Sequence, residues 1–541
     1  MNRILVTAGA LALIAGTAVA GDEMEMPVEP TKWDVPSAAA ATIQDAIDAA
    51  APGDIICLVG DGPYAPFTVT VAGLTIIGND LTPMSEERDP EVSDFKVNKK
   101  DDQDNTRPAC EDLKVVDGGG EAGSLIDAAG VTIIGVCFTN GKDSHGNGGA
   151  LKIADDASAS LAYVSFADNK ADEDGGAVYV GRDASLSINN AVFSGNEAEF
   201  GGGLYADQGS TVSLVDVDFL GNTATGSGGA IDILAAAGVS IEASCFEGNE
   251  AATTVAGFGG AISMFLAPVE IKNAVFCGNA AIRGGGAIYN EDGDLDVWYS
   301  TFYDNTSLSG GGIEQVASPS AGSEPASKTD ITNSVIVETR LVNNILGGGL
   351  DADAIRMEVF YSFYDRSFMG EPRVRGVIGN LGLDDLPIDA STEEQITVSQ
   401  LFVDAENCDL RLVYSPCWTN PLIDSADSRA CEDLCFDKDD LGRAIDVVDN
   451  PSTGLVNEGI DNTGVDIWRR NHTCDAADMG AYEYKQDAFG VIAASCSGDA
   501  NFDGVVDIDD IFEVLRKFGY PCVVSDGCQD NETGSGATGL R

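Results

Sequence analysis

The sharpest chemical motif in the sequence is Asp499-Ala500-Asn501-Phe502-Asp503-Gly504-Val505-Val506-Asp507-Ile508-Asp509-Asp510. Side-chain oxygens fall at loop positions 1, 3, 5, 9 and 12, with glycine at 6 and the Val505 carbonyl at 7. That spacing wraps a chain around Ca²⁺ with about seven oxygen ligands, and the sharp turn at position 6 calls for glycine. The candidate calcium ligands are therefore Asp499, Asn501, Asp503, Val505, Asp507 and Asp510, the last in place of the usual terminal glutamate. Ile511, Val514, Leu515 and Phe518 follow at helical spacing, and Gly519 and Pro521 stop the helix. Cys496 and Cys522 bracket this loop-helix unit. A shorter acidic turn, Asp437-Lys438-Asp439-Asp440-Leu441-Gly442, lacks the position-12 acid and reads as a solvated loop.

No second constellation reaches that definition. The two histidines, His145 and His472, are far apart and have no nucleophile motif. Asp168, Asp172, Glu173, Asp174, Glu197, Glu199, Glu247, Glu250 and Asp304 recur near one turn of a repeat and could line an exterior face. Bases in the same region are few: Lys142, Lys152, Lys170, Arg182, Lys272 and Arg283, the last beside Gly284 in that turn. Glycoside hydrolysis needs a carboxyl pair at a defined separation, and among so many acids no pair stands out. No catalytic residue is assigned.

The elements that position these acids come from a repeat over residues 131–313. Phe138, Phe166, Phe193, Phe219, Phe246, Phe276 and Phe302 are spaced 26 to 30 apart. An asparagine follows at Asn169, Asn196, Asn222, Asn249, Asn279 and Asn305, displaced in the first copy to Asn140. Each copy closes on a glycine pair, as in Gly175-Gly176-Ala177-Val178-Tyr179. Seven and five residues before each Phe stands an apolar pair such as Leu186/Ile188 or Val212/Leu214. That alternation marks strands with one buried face. A unit of this length, stacked on copies of itself, is one coil of a parallel β-helix with three short strands. Stacked coils put the Phe column inside and the Asn column in an amide ladder at a turn. The glycine pair then forms a corner requiring positive φ. The fold class is all-β: a right-handed parallel β-helix with a small C-terminal EF-hand-like loop-helix module.

Around that repeat the chain divides as follows. Residues 1–20 read as a cleaved secretory signal: Asn2-Arg3, an apolar run, then Ala18-Val19-Ala20. A lead covers 21–40, then a cap and first coils 41–130 with a charged loop inserted at 79–114. Thr42-Ile43-Gln44-Asp45-Ala46-Ile47 has helical spacing and would seal the open end of the core, as a terminal unit must. Coils fill 131–400, with echoes at Ile331-Thr332-Asn333 and Tyr361-Ser362-Phe363, and closing coils 401–485. A linker (486–495), the calcium module (496–522) and a Gly-Ser-rich tail (523–541) complete the 541 residues. No later apolar run is long enough to span a bilayer.

Eighty-eight acids against thirty bases leave a net charge of −58. Such a field repels nucleic acid and anionic membranes and favours divalent cations. Thirteen cysteines in an exported chain imply disulfides with at least one thiol left over. Cys245 and Cys277 fall on adjacent coils as potential neighbours.

Four resemblances rest on these motifs. The opening, from Thr42-Ile43-Gln44 through Val115-Val116-Asp117-Gly118-Gly119, resembles secreted pectate-lyase-like β-helix proteins. The Phe-x-x-Asn and Gly-Gly-Ala-Ile/Val copies are similar to chlamydial polymorphic outer-membrane protein repeats, which implies a surface adhesin-like role. Leu401-Phe402-Val403-Asp404 and Met479-Gly480-Ala481-Tyr482 look like the closing region of bacterial surface β-helix proteins. The calcium loop resembles a dockerin type I repeat, which implies Ca²⁺ as cofactor and a cohesin-like partner. Only one such repeat is present here, and Ile508-Asp509 stand where cohesin is gripped.

Two functions follow. The first is an extracellular or cell-surface binding scaffold for a polysaccharide or cell-surface glycan, with regular coils and no cluster of base and carboxylates. The second is a polysaccharide lyase or glycoside hydrolase. It requires a groove with Arg or Lys beside two or more acids, under the insertion or on the coils after residue 313.

Overall fold

The computed structural model describes residues 30–78, 108–143, 146–252, 257–317, 327–332, 334–337, 342–345, 355–360, 362–364, 374–376, 385–388, 394–413 and 421–422. The signal segment, most of the insertion, the calcium loop and its helix lie outside them. Three parallel sheets run along the molecule, with two strand positions per coil in the largest and one in each of the others. The main sheet carries the apolar pair and the Phe, a short sheet follows the Asn, and a ten-stranded sheet follows the glycine pair. Register is strict. Phe166 pairs with Phe138 and Phe193, and Phe219 with Phe246. The β-helix is therefore the fold, and the coils continue past residue 313 through strands Ser327–Thr332, Val335–Val337 and Ile355–Phe360.

Each coil has one more bend than the alternation announces. The long strands Ser158–Ala167, Ser185–Ser194 and Thr211–Leu220 turn at Tyr163, Asn190 and Asp216, which hold φ of 51°, 57° and 63°. Ladder pairing skips these residues, so the main sheet has two faces. Left-handed φ at Tyr163 carries a steric cost. It is tolerated because pairing on both flanks over-determines it.

The interior is a column of seven phenylalanines, 0–1% exposed. Adjacent rings stack with centroids 4.6–5.2 Å apart. Burying each is worth roughly 1.5–3 kcal/mol. Beside it runs the amide ladder, in which each amide from Asn196 onward is used four ways. Asn222 Oδ1 accepts from the Asn196 backbone N–H at 3.1 Å and from Asn196 Nδ2 at 2.9 Å. Asn222 Nδ2 donates to the Phe193 carbonyl at 3.0 Å and to Asn249 Oδ1 at 3.0 Å. In the first coil the ladder position belongs to Gly141, whose N–H donates to Asn169 Oδ1 at 2.9 Å. Asn140 precedes it on the exposed left-handed corner, at φ 52°. The glycine pair divides its labour. Gly175 supplies φ 67°, and a Cβ on Gly176 would lie 2.6 Å from the Glu197 carbonyl of the next coil.

The N-terminal end closes as the motif predicts. Helix Ile43–Ala49 is capped by Thr42 and Asp45, each side chain accepting from the other's N–H, and it buries Ile43, Ala46 and Ile47. Gln44 pairs with Thr68 through its Oε1 (2.8 Å) and Nε2 (3.3 Å). Thr68–Val69 is the edge strand of the ten-stranded sheet, so the glutamine covers an edge that would otherwise template another chain.

Where closing coils are expected, residues 401–412 do otherwise. Phe402–Asp404 and Asp409–Leu412 pair antiparallel, an arrangement no coil uses. They lie on the outside of the main sheet, tied by the Cys277–Cys408 disulfide. Cys245 shares that apolar cluster with Cys277, but the bond to Cys277 comes from Cys408. A second disulfide joins Cys110 to Cys137.

Asn222→Ala strands a buried backbone N–H and two amide groups, and is expected to cost about 2–4 kcal/mol. Asn140→Gly, exposed and already left-handed, should stay within about 0.5 kcal/mol. Thermal unfolding of the two variants tests the contrast, and equal losses would remove the ladder from its central place.

Candidate functional site

Outward residues of the ten-stranded sheet form one column. Lys152, Tyr179, Tyr205, Asp232, Ser263, Tyr289 and Glu314 stand in register on successive coils. Their neighbours along each strand, such as Val178 and Val180 or Ile231 and Ile233, point into the core. Alternation therefore forces these polar side chains onto the outer face. On one flank the turns before the glycine pairs rise alongside, bridging Asp174 to Phe200 and Phe258 to Gly284. On the other stand Asp207 and Arg182.

The shelf has two polar centres. In the first, Tyr179 and Tyr205 stack at 5.6 Å, 7° from parallel. The Tyr179 hydroxyl donates to Asp207 Oδ2 at 2.8 Å, and Arg182 Nε donates to the same oxygen at 3.3 Å. Lys152 Nζ sits 5.2 Å over the Tyr179 ring, a cation–π arrangement. Each tyrosine is 7% exposed, so solvent meets their polar rim and not their faces. In the second centre Tyr289 packs on Phe258 at 4.5 Å and donates to Glu291 Oε2 at 3.3 Å. Glu314 Oε1 accepts from Ser309 Oγ at 3.0 Å. The Glu314 carboxylate fills the space that a side chain at Gly284 would need.

Crowding sets the protonation of this surface. Burial pushes Asp174 up to about 6, helped by the charges of Glu173, Asp207 and Glu199. Asp232 is half-buried by accessible surface yet closely surrounded by protein. Burial, with the charge of Asp174, pushes its carboxyl up to about 7, against the opposing Ser263 hydrogen bond. Burial and the neighbouring acids raise Tyr179 and Tyr205 far above the ordinary phenol, so neither serves as a base at neutral pH. At neutral pH the phenols are donors here, Asp232 is divided between its two forms, and the ionised acids are acceptors.

The acids expected on an exterior face scatter over four places. Glu173, Asp174 and Glu199 reach the shelf, as their mutual influence shows. Glu197 and Glu250 stand on the short sheet, where Lys170 pairs with Glu197. Asp168 and Asp304 occupy the left-handed corner before the ladder, and Glu247 faces out from the main sheet. Asp207, Asp232 and the tyrosine column were not singled out from sequence. Their signal was Gly-Gly-Ala-Val-Tyr itself, since a residue between two buried apolar ones must face outward. The Arg182 guanidinium pairs with one acid, Asp207, while its backbone N–H donates to Asp155 Oδ1 at 3.0 Å. It stands on the regular coils, not under the insertion or after residue 313. The candidate calcium ligands Asp499, Asn501, Asp503, Val505, Asp507 and Asp510 lie outside the described residues. Among the described residues no group of three or more His, Cys, Asp or Glu is arranged to hold a metal ion, and no helix is long and apolar enough to cross a membrane.

Three segments match a known repeat. Residues 163–181, 216–233 and 273–291 fit the Chlamydia polymorphic membrane protein repeat. Each spans a bend of the main sheet, a ladder asparagine or its equivalent, or the glycine pair that leads into the shelf. No curated protein matches the chain. Solved structures with a similar course include pectate lyase Pel9A, at 11% identity and a TM-score of 0.40, covering 85% of this chain and 98% of that one. The alginate lyase AlyF-OU02 in complex with G6 is 14% identical with a TM-score of 0.33, covering 68% and 86%. A PL6 alginate lyase complex with trisaccharide is 13% identical with a TM-score of 0.35, covering 68% and 87%.

A raised carboxyl has a definite sign in stability. The folded chain holds the Asp232 proton from the ordinary 3.8 up to about 7. Its favourable contribution is complete below pH 4 and is lost as pH rises through 7. Asp232→Asn should therefore match the parent at pH 4 and exceed it by about 1–2 kcal/mol at pH 8, after allowance for partial exposure. Thermal unfolding at the two pH values reads the difference, and a pH-independent gap would contradict the assignment.

Proposed function

We propose that this chain is an extracellular or cell-surface β-helix scaffold whose tyrosine–carboxyl shelf binds a neutral glycan. The register column carries the reading: it offers one polar group per coil over about 29 Å from Lys152 to Glu314 at strand spacing. An extended pyranose chain advances by a similar length per residue, so its hydroxyls meet a repeating row of fixed donors and acceptors. Pre-organised polar groups of this kind orient a ligand at little entropic cost.

Charge narrows the ligand. Asp174, Glu173, Glu199, Asp207 and Asp232 surround the first centre, and the one arginine there is already paired with Asp207. A polyuronate would bring like charge into this cluster. A neutral polyol brings none. A second reading, hydrolysis of the same glycan, is favoured by Asp232, because a carboxyl protonated near neutrality is what a general acid requires.

The calcium loop extends the proposal. Asp499, Asn501, Asp503, Val505, Asp507 and Asp510 would hold one Ca²⁺, ordering the loop-helix module beside the solenoid chain. A cohesin-like protein is the partner the dockerin resemblance implies for that module.

Incubating the chain with neutral and acidic polysaccharides, then measuring both retention and new chain ends, tests the first proposal. Retention of neutral glycans without new ends is expected, and Asp207→Ala should weaken it about tenfold by freeing Tyr179 and Arg182 from their shared anchor. New ends that vanish in Asp232→Asn would replace binding by hydrolysis. Cleavage of polyuronates alone would overturn the charge argument. For the metal, calorimetry in moderate salt should show one tight Ca²⁺ site in the full chain, lost in the Asp499→Ala, Asp503→Ala double variant. Undiminished binding in that variant would move the site elsewhere.

A further inference from the structure

Away from the shelf, the outer face of the main sheet beyond its bend changes character along the molecule. Early coils place Ser165, Val192, Ser194 and Asp218 there. From Cys245 onward the same columns, apart from Glu247 and Thr301, carry Val275, Cys277, Tyr303, Val335, Val337 and Phe363. Those six are 0–9% exposed, and what covers them is the segment 386–412. Leu386, Val398, Leu401, Phe402 and Leu410 form one apolar cluster with them. Phe402 meets Tyr303 edge-on at 6.0 Å, and Cys408 is bonded to Cys277 from 131 residues away.

This cluster is separate from the solenoid core, which none of the described residues of 386–412 joins. The covering hairpin is antiparallel and adds no coil. Cover and core are thus two hydrophobic units sharing one sheet, the first facing out and the second facing in.

We propose that residues 386–412 are a strap that docks on an already formed solenoid, is retained by the Cys277–Cys408 bond, and seals a face that would otherwise associate with a second copy of this chain. The face beneath the strap is largely apolar and repeated at strand spacing. Two copies present it identically, which is the requirement for a self-complementary two-fold interface. Towards the earlier coils the strip ends at Asp218 and Glu247, which separate it from Val192 and Leu220 in the same two columns. A bare strip of this kind favours association, and the chain's negative charge opposes it until salt screens that charge.

The test uses the full chain carrying Leu401→Asp and Phe402→Asp, which leave every coil residue unchanged, and separately Cys408→Ser. In high salt the double variant should bind an apolar fluorescent dye several-fold more than the parent and elute at twice the monomer mass, with its β-sheet circular dichroism intact. Cys408→Ser should be cut within 386–412 about ten times faster by a dilute protease. Unchanged dye binding and mass would overturn the strap. Loss of the β-sheet signal would overturn it too, by showing that the segment belongs to the solenoid's own stability. Dye binding by a chain that stays monomeric at every concentration would overturn the second copy as occupant.

Discussion

The buried asparagine amide is the interaction on which this molecule depends. Each ladder side chain spends both donors and its acceptor on the coils beside it, so no coil satisfies its own turn. A backbone N–H at that corner has no other partner, and an unpaired one in so dry a place costs about 1–3 kcal/mol. Register follows from this. Sliding one coil against the next would break two amide rungs and also part the phenylalanine stack. Because the ladder holds register, the outward column of tyrosines and acids stays aligned over many coils, and the shelf is a consequence of the turn.

The repeat was legible because stacked parallel coils put like residues on like residues. Phe, Asn and Gly-Gly each answer one constraint, namely core volume, amide satisfaction and corner geometry. The capping helix was equally legible, since Thr42 and Asp45 form a local box and Ile43, Ala46 and Ile47 share a face. The bend was hidden because its column mixes types: Asn190 and Asp216 favour left-handed φ, whereas Tyr163, Ala243 and Tyr299 are held there by tertiary pairing. The strap was hidden for the same kind of reason. An apolar run signals burial without saying which of two faces it buries, and Leu401-Phe402 reads alike in a coil or on one.

The shelf acids show a different limit. With acids so numerous, sequence proximity carries little information, and the useful signal was parity within a strand. Tyr179 lies between two core valines, and Asp232 between two core isoleucines. Once that parity is read, the grouping of Asp174, Asp207 and Asp232 around two phenols follows from register. Their protonation does not, because it depends on how closely the flanking turns crowd the sheet.

The corner glycines set a rule about change. A Cβ on Gly176 would strike the carbonyl of the following coil, so the spacing at that corner admits no growth, while the turn just before it rises freely beside the shelf. Coil length varies from 26 to 30 residues without disturbing register on either side. Inheritance can therefore act on whole coils as interchangeable modules. Duplicating one would lengthen the outer row by a single place, and altering one turn would retune a single place, with the rest of the row untouched.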